Sequence, residues 1–201
     1  MATESRRRAA SVRRDTKETR IEIDIDLDGT GATAVETGLP FFDHMLDQLG
    51  RHGGFDLTIR AEGDLEIDAH HTVEDTGILL GKAFAEALGD KTGIRRFANV
   101  SVPLDEALVD VALDLSGRPY LHFEADAPGE KILGDPPFDP QLVEEFWRAF
   151  VTSAAITLHV TLVRGRNTHH VVESTFKGCA RALRDAVRVE GTGVPSTKGV
   201  L

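Results

Sequence analysis

The sequence predicts an α+β fold made of two successive halves of one sheet-plus-helices design, and three observations carry that prediction. The segment His70-His71-Thr72-Val73-Glu74-Asp75-Thr76 recurs as His169-His170-Val171-Val172-Glu173-Ser174-Thr175, at a constant offset of 99 residues. At the same offset Ala83 meets Ala182, Ala87 meets Ala186, Glu86 faces Asp185 and Leu88 faces Val187. In both halves, short alternating apolar stretches precede an amphipathic helix pattern. Two copies of one supersecondary unit account for all three.

The elements follow in order. Residues 1 to about 15 carry Arg6, Arg7, Arg8, Arg13 and Arg14 and read as a basic flexible tail. From Ile21 the chain alternates, with Ile21, Ile23, Ile25 and Leu27 on one side and Glu22, Asp24, Asp26 and Asp28 on the other, a half-buried antiparallel strand. Gly29-Thr30-Gly31 turns it into a strand over Ala32 to Glu36. Pro40 opens a short helix with Phe42, Met45, Leu46 and Leu49 on one stripe, stopped by His52-Gly53-Gly54. Strands are expected at Phe55 to Arg60 and Leu65 to Ile67, then a helix from about Thr72 to Leu88, ended by Gly89.

The second half places strands at Phe97 to Leu104, Ala107 to Ser116 and Tyr120 to Ala125, then a Pro/Gly-rich loop from Pro128 to Pro140. An amphipathic helix over Gln141 to Ser153 buries Leu142, Phe146, Trp147 and Phe150. A β-branched strand over Ile156 to Arg164 and a helix over Thr168 to Arg188 complete it, before a mobile-looking tail over Gly191 to Leu201. The divisions are therefore 1–15, 16–92, 93–190 and 191–201.

Composition bounds the function. The chain has 201 residues, a net charge of -10 and 41% apolar residues, enough to bury a core and too acidic for a general nucleic-acid binder. Cys179 is its one cysteine, so neither internal disulfides nor a thiolate zinc site can form. No apolar run approaches a membrane span, and the arginine-rich start lacks the apolar stretch of a secretory leader. The expected compartment is the cytoplasm, with no membrane partner.

The doubled His-His-x-x-Glu carries the chemistry. Residues four apart share a helix face, so His70 with Glu74, and His169 with Glu173, can each grip one cation, while His71 and His170 point elsewhere. Asp43-His44 lies on the earlier short helix and Glu144-Glu145 on the later one. His44 precedes His70 by 26 residues and Glu145 precedes His169 by 24, which makes His44 and Glu145 pseudo-equivalent. Imidazole and carboxylate donors without thiolates suit two octahedral Mn2+ or similar ions better than structural zinc. Asp26-Leu27-Asp28-Gly29-Thr30 spells an aspartyl-phosphatase signature. The strand before it alternates, whereas that nucleophile ends an unbroken apolar strand, so it reads as a solvated acidic strand ending in a turn. Arg95-Arg96, Arg118, Arg166 and Lys177 could grip a phosphate. His122 and His159 read as structural and Cys179 as a buried small hydrophobe.

Taken together, Thr16-Lys17-Glu18-Thr19, Pro40-Phe41-Phe42-Asp43-His44-Met45-Leu46, Asp68-Ala69-His70-His71-Thr72-Val73-Glu74-Asp75 and Gly93-Ile94-Arg95-Arg96-Phe97 resemble the imidazoleglycerol-phosphate dehydratase family. So do Pro103-Leu104-Asp105-Glu106-Ala107, Ser116-Gly117-Arg118-Pro119-Tyr120, His169-His170-Val171-Val172-Glu173 and Pro195-Ser196-Thr197-Lys198-Gly199. The resemblance spans Arg14 to Leu201. It implies a duplicated two-layer sandwich of the ribosomal S5 domain 2-like kind, each half a four-stranded sheet with helices on one face. It also implies a homo-oligomer of 24 subunits with active sites between subunits and two manganese ions in each.

By the same resemblance the metal ligands are His44, His70, His71, Glu74, His169, His170 and Glu173, with Glu145 where the family usually has histidine. Substrate contacts fall on Glu18, Gln48, His52, Arg96, Arg118, Lys177, Ser196 and Lys198, together with His44, His70 and His169. The tail would close over the phosphate. The implied reaction converts imidazole glycerol 3-phosphate to imidazole acetol phosphate and water in histidine biosynthesis, through a metal-stabilised imidazolate. Glu18 is the candidate for proton transfer, with Glu74 and Glu173 as competitors. Two other classes use similar ligands: a dinuclear phosphohydrolase, which would release phosphate, and a non-catalytic metal-clamped assembly protein, which would consume no substrate.

Overall fold

The computed structural model describes residues 7–127 and 132–201, and both halves follow one plan. In the first, β1 (Ala9–Asp15), β2 (Thr19–Asp26), β3 (Thr33–Glu36) and β4 (Asp56–Gly63) form a sheet of order β1-β2-β4-β3. Helix α1 (Pro40–Gly53) links β3 to β4, and α2 (His70–Leu88) follows. In the second, β5 (Phe97–Leu104), β6 (Ala107–Asp114), β7 (Tyr120–Glu124) and β8 (Thr157–Arg164) take the order β5-β6-β8-β7, with α3 (Leu142–Ala154) and α4 (Thr168–Ala186) in matching places. Each sheet has two antiparallel pairings and one parallel pairing, β3 on β4 and β7 on β8. The predicted duplicated α+β architecture is the one observed.

Alternation sets the register. Ile23 of β2 sits between Val12 and Ile59, and Val111 of β6 between Val100 and Val160, so the inner face of each sheet is aliphatic. Each face is covered by its own half's helices, α2 on β1 and β2, α4 on β5 and β6. The helices then pair across the halves, α1 against α4 and α2 against α3. Phe42, Phe84, Phe146, Trp147, Phe150 and Phe176 are buried where these layers meet. The α2–α3 approach depends on Gly77 and Gly81: a Cβ there would stand 2.7 Å from the Phe146 carbonyl oxygen and 2.5 Å from that of Phe150.

Three sequence expectations are corrected. Residues 9–15 of the expected tail form β1, the edge strand of the first sheet, so the first half begins before Thr16; residues 1–6 lie outside the described residues. The arginines there are not a solvated run but partners of the acidic strand beside them. Arg13 bonds Glu22, Arg7 bonds Asp26, Arg8 bonds Asp28, and Arg14 reaches Asp75 on α2. Second, Leu65 to Ile67 form no strand. The chain turns there, with Ile67 N–H donating to the Asp64 carbonyl at 2.8 Å, and β1 takes the fourth place in the sheet. Third, the 191–201 tail has definite contacts: Gly93 N–H donates to the Gly193 carbonyl and Arg96 Nη1 to that of Pro195. Residues 128–131 of the expected Pro/Gly-rich loop lie outside the described residues, and beyond them Leu133 and Phe138 form an isolated bridge.

Candidate active site

The cross-half pairing of α1 with α4 assembles a cluster that neither half holds alone. Pro40 sits at the start of α1, which ends at Gly54 in the left-handed region (φ 68°), and His44 projects one turn in. Asn167 caps α4, its side chain accepting from the N–H groups of His169 and His170. His169 and Glu173, four residues apart, then meet His44, with donor atoms from all three within 4.8 Å of one another. Glu173 Oε2 lies 2.9 Å from His169 Nε2 and 3.5 Å from His44 Nε2, while its Oε1 accepts from Lys177 Nζ at 2.6 Å. Burial pushes the Glu173 carboxyl up, but the bonds from Lys177 and His169 and the charges of Lys177 and His44 outweigh it and hold it below the usual range. His52, a further two turns along α1, is pushed down by burial and by Lys177 and Arg181. Gln48 Nε2 is 3.5 Å from His44 Nδ1.

The counterpart lies where α2 meets α3. His70 and Glu145 line one cavity of about 490 Å3, with Ile67, Asp68 and Leu142. Glu145 and His70 thus border one cavity from α3 and α2. Glu74 is half-buried on α2. Among the described residues His70, Glu74 and Glu145 do not converge into a three-donor cluster as His44, His169 and Glu173 do.

His71 and His170 point away from these clusters, as their helix position requires, and each meets a carboxylate through Nδ1. Asp64 lies 3.0 and 3.2 Å from His71 Nδ1, and Glu106 lies 2.7 Å from His170 Nδ1. The bond to Asp64 raises the His71 pKa, and the His170 bond, with backbone N–H groups, draws Glu106 down to about 2. Glu18 is exposed in the β1–β2 turn, its N–H on Thr16 Oγ1 and its carbonyl accepting from Asp64 N–H. That turn is tied to α2 by Thr19 Oγ1, which donates to Asp75 Oδ2, while Arg14 binds Asp75 Oδ1.

A separate basic pocket is lined by Arg96, Ser116, Arg118, Ser196 and Lys198. Asp114 clamps the Arg96 guanidinium through Nε at 2.7 Å and Nη2 at 3.0 Å. The tail brings Ser196 and Lys198 to the strand-borne arginine. Lys177, predicted with these phosphate grips, stands instead on Glu173, and Arg95 pairs with Glu190 at the surface. His122 and His159 are cross-strand neighbours, rings 5.3 Å apart, on a half-exposed face and outside both clusters. Cys179 is buried, which pushes its thiol far up.

The donor set fits hard-to-borderline divalent cations: imidazole nitrogens and carboxylate oxygens, with the lone thiol buried elsewhere. His71 and His170, each with Nδ1 engaged, offer Nε2. Sequence reasoning missed Asp64, Glu106, Asp75 and Asp114. Only the helix-capping Asn167, an asparagine just before a helix start, left a readable signal.

Comparisons with known proteins bear on the same residues. A sequence model described as imidazoleglycerol-phosphate dehydratase matches residues 37–183. An imidazoleglycerol-phosphate dehydratase of a Parafrankia species is 59% identical over 197 residues, covering 96% of this chain and 99% of its own. One from Methanopyrus kandleri is 52% identical over 194 residues, covering 96% of each. The crystal structure of the Staphylococcus aureus imidazoleglycerol-phosphate dehydratase superposes with a TM-score of 0.80 at 40% identity, over 92% of this chain and 99% of that one. That of the Pyrococcus furiosus protein in complex with (S)-C348 gives 0.81 at 36% identity, over 94% and 100%.

Proposed function

This chain belongs to the imidazoleglycerol-phosphate dehydratase family and is a dehydratase of histidine biosynthesis; from that premise we propose that it converts imidazole glycerol 3-phosphate to imidazole acetol phosphate and water using two Mn2+ ions per active site. The observation that carries the reading is the meeting of His44 with His169 and Glu173 from opposite halves. We assign His44, His70, His71, Glu74, Glu145, His169, His170 and Glu173 as the ligands. Held by these residues, the ions would supply Lewis acidity to the imidazole, easing departure of the adjacent hydroxyl.

The protein's own groups do the rest. Arg96, Arg118, Ser196 and Lys198 hold the phosphate and so fix where the ring and its side chain lie. Gln48 and His52, on the face of α1 that carries His44, line the approach to the ring. Glu18 takes the proton from the carbon bearing the second hydroxyl, with Glu74 and Glu173 as competitors. Lys177 neutralises the Glu173 carboxylate. His71 and His170 stand outside the intrachain cluster, which favours sites completed between subunits in a 24-subunit homo-oligomer. The net charge of -10 speaks against a nucleic-acid partner, and no helix is long and apolar enough to cross a membrane; cytoplasmic residence belongs to the same proposal.

The test is direct. Chelator-treated protein should lose turnover of imidazole glycerol 3-phosphate and regain it with Mn2+, and His71→Ala should abolish it. Full turnover without metal, or release of inorganic phosphate in place of the ketone, would overturn the reading.

A further inference from the structure

The two hairpins use their glutamates differently. Glu18 immediately precedes β2 and Glu106 immediately precedes β6, so they hold corresponding places in the β1–β2 and β5–β6 turns. In the second half the hairpin glutamate is fully engaged. Its Oε2 accepts from His170 Nδ1 at 2.7 Å, and its Oε1 accepts the N–H groups of Arg166 at 3.1 Å and Asn167 at 2.7 Å, at the entrance to α4. In the first half the matching contact on His71 Nδ1 comes from Asp64, just past the end of β4. Asp64 also touches the hairpin, but by backbone alone, its N–H donating to the Glu18 carbonyl at 3.1 Å. The Glu18 side chain is left exposed.

An imidazole that donates from Nδ1 to a carboxylate keeps its lone pair on Nε2, with its ring orientation set. His170 Nε2 has a neighbouring carboxylate, Asp105, at 3.8 Å, beyond hydrogen-bond reach. We propose that Glu106 and Asp64 are positioning residues that hold His170 and His71 with Nε2 as the ligand atom, and that Asp64, by taking this task in the first half, frees the Glu18 carboxylate to work on substrate. The inference deepens the dinuclear reading above and rests on it.

Calorimetric titration of metal-stripped, full-length protein with Mn2+ tests it. Wild-type protein should take up two equivalents per chain. Glu106→Gln and Asp64→Asn should each weaken one equivalent by roughly 10–100-fold, whereas Glu18→Gln should leave both affinities unchanged while turnover collapses. Because Glu106 acts through His170, adding Glu106→Gln to His170→Ala should cost no further affinity. Thermal unfolding of the metal-free variants checks that they are folded, and Asp64→Asn alone reads the point should Glu106→Gln fail to fold. Wild-type affinity in both carboxylate variants would overturn the proposal, as would a further loss in the His170→Ala background, which marks a scaffold role through the α4 entrance. A loss of metal affinity in Glu18→Gln would overturn the division of labour between the hairpins. Failure of wild-type protein to take up Mn2+ would instead sink the dinuclear reading itself.

Discussion

At the scale of single residues, the carboxylates set the site's geometry. Glu173 gathers two imidazoles and a lysine, Asp64 and Glu106 meet His71 and His170 at Nδ1, and Asp114 grips Arg96 from the side opposite the tail. The candidate ligands were legible because a doubled motif repeats them. Their supports were not, because the partners lie 7, 64 and 18 residues apart along the chain and share no period. Arg96 is held at a positive φ of 74°, over the Phe97 ring, with both terminal nitrogens engaged. Asp114→Asn removes the charge-assisted fork while keeping its shape. It should raise KM for the phosphorylated substrate about tenfold, equivalent to about 1.4 kcal/mol, with kcat little changed; steady-state kinetics would read this, and an unaltered KM would show that Asp114 does not preorganise the anion pocket.

At the scale of elements, periodicity located the helices and most strands but failed at the edges. Five arginines in fifteen residues look like a solvated arm. They become a strand because β2 presents Glu22, Asp24 and Asp26 outward, and the register sets Arg13 against Glu22. Such complementarity belongs to a pair of strands and is invisible in either alone. Likewise, the apolar residues of Leu65 to Ile67 suggested a strand, but Leu65, Ile67 and their neighbours form a turn at the His70 cavity. The close approach of α2 and α3 makes a sharper claim. Gly81→Val would drive its side chain into the Phe150 carbonyl and Ser153. Overpacking of this kind costs about 1–3 kcal/mol, and the shifted helices should also part His70 from Glu145. A thermal midpoint equal to that of the unaltered protein would show that the contact gives way cheaply.

At the scale of the whole molecule, the proposed ligands do not all gather in one place on a single chain. Among the described residues one three-donor cluster closes within it, and His71 and His170 stand outside that cluster, each with Nδ1 on a carboxylate. If neighbouring subunits complete the sites, damage on one side of a site can be covered by an intact copy on the other. His71→Ala and Glu173→Gln proteins, each inactive alone, should regain measurable turnover when dissociated, mixed and reassembled. Mixtures as inactive as their components would argue for sites contained in one chain.

The exchange of helices between the halves has a consequence for each half on its own. Helix α1 lies on its own sheet but finds its helical partner, α4, in the other half, and α2 and α3 do the same in reverse. Either half taken alone would leave those helix faces uncovered and could bury them only by clasping a second copy. Covalent linkage of the two halves makes that burial independent of concentration. It also lets the two helix interfaces differ, one carrying His44 and the other Glu145.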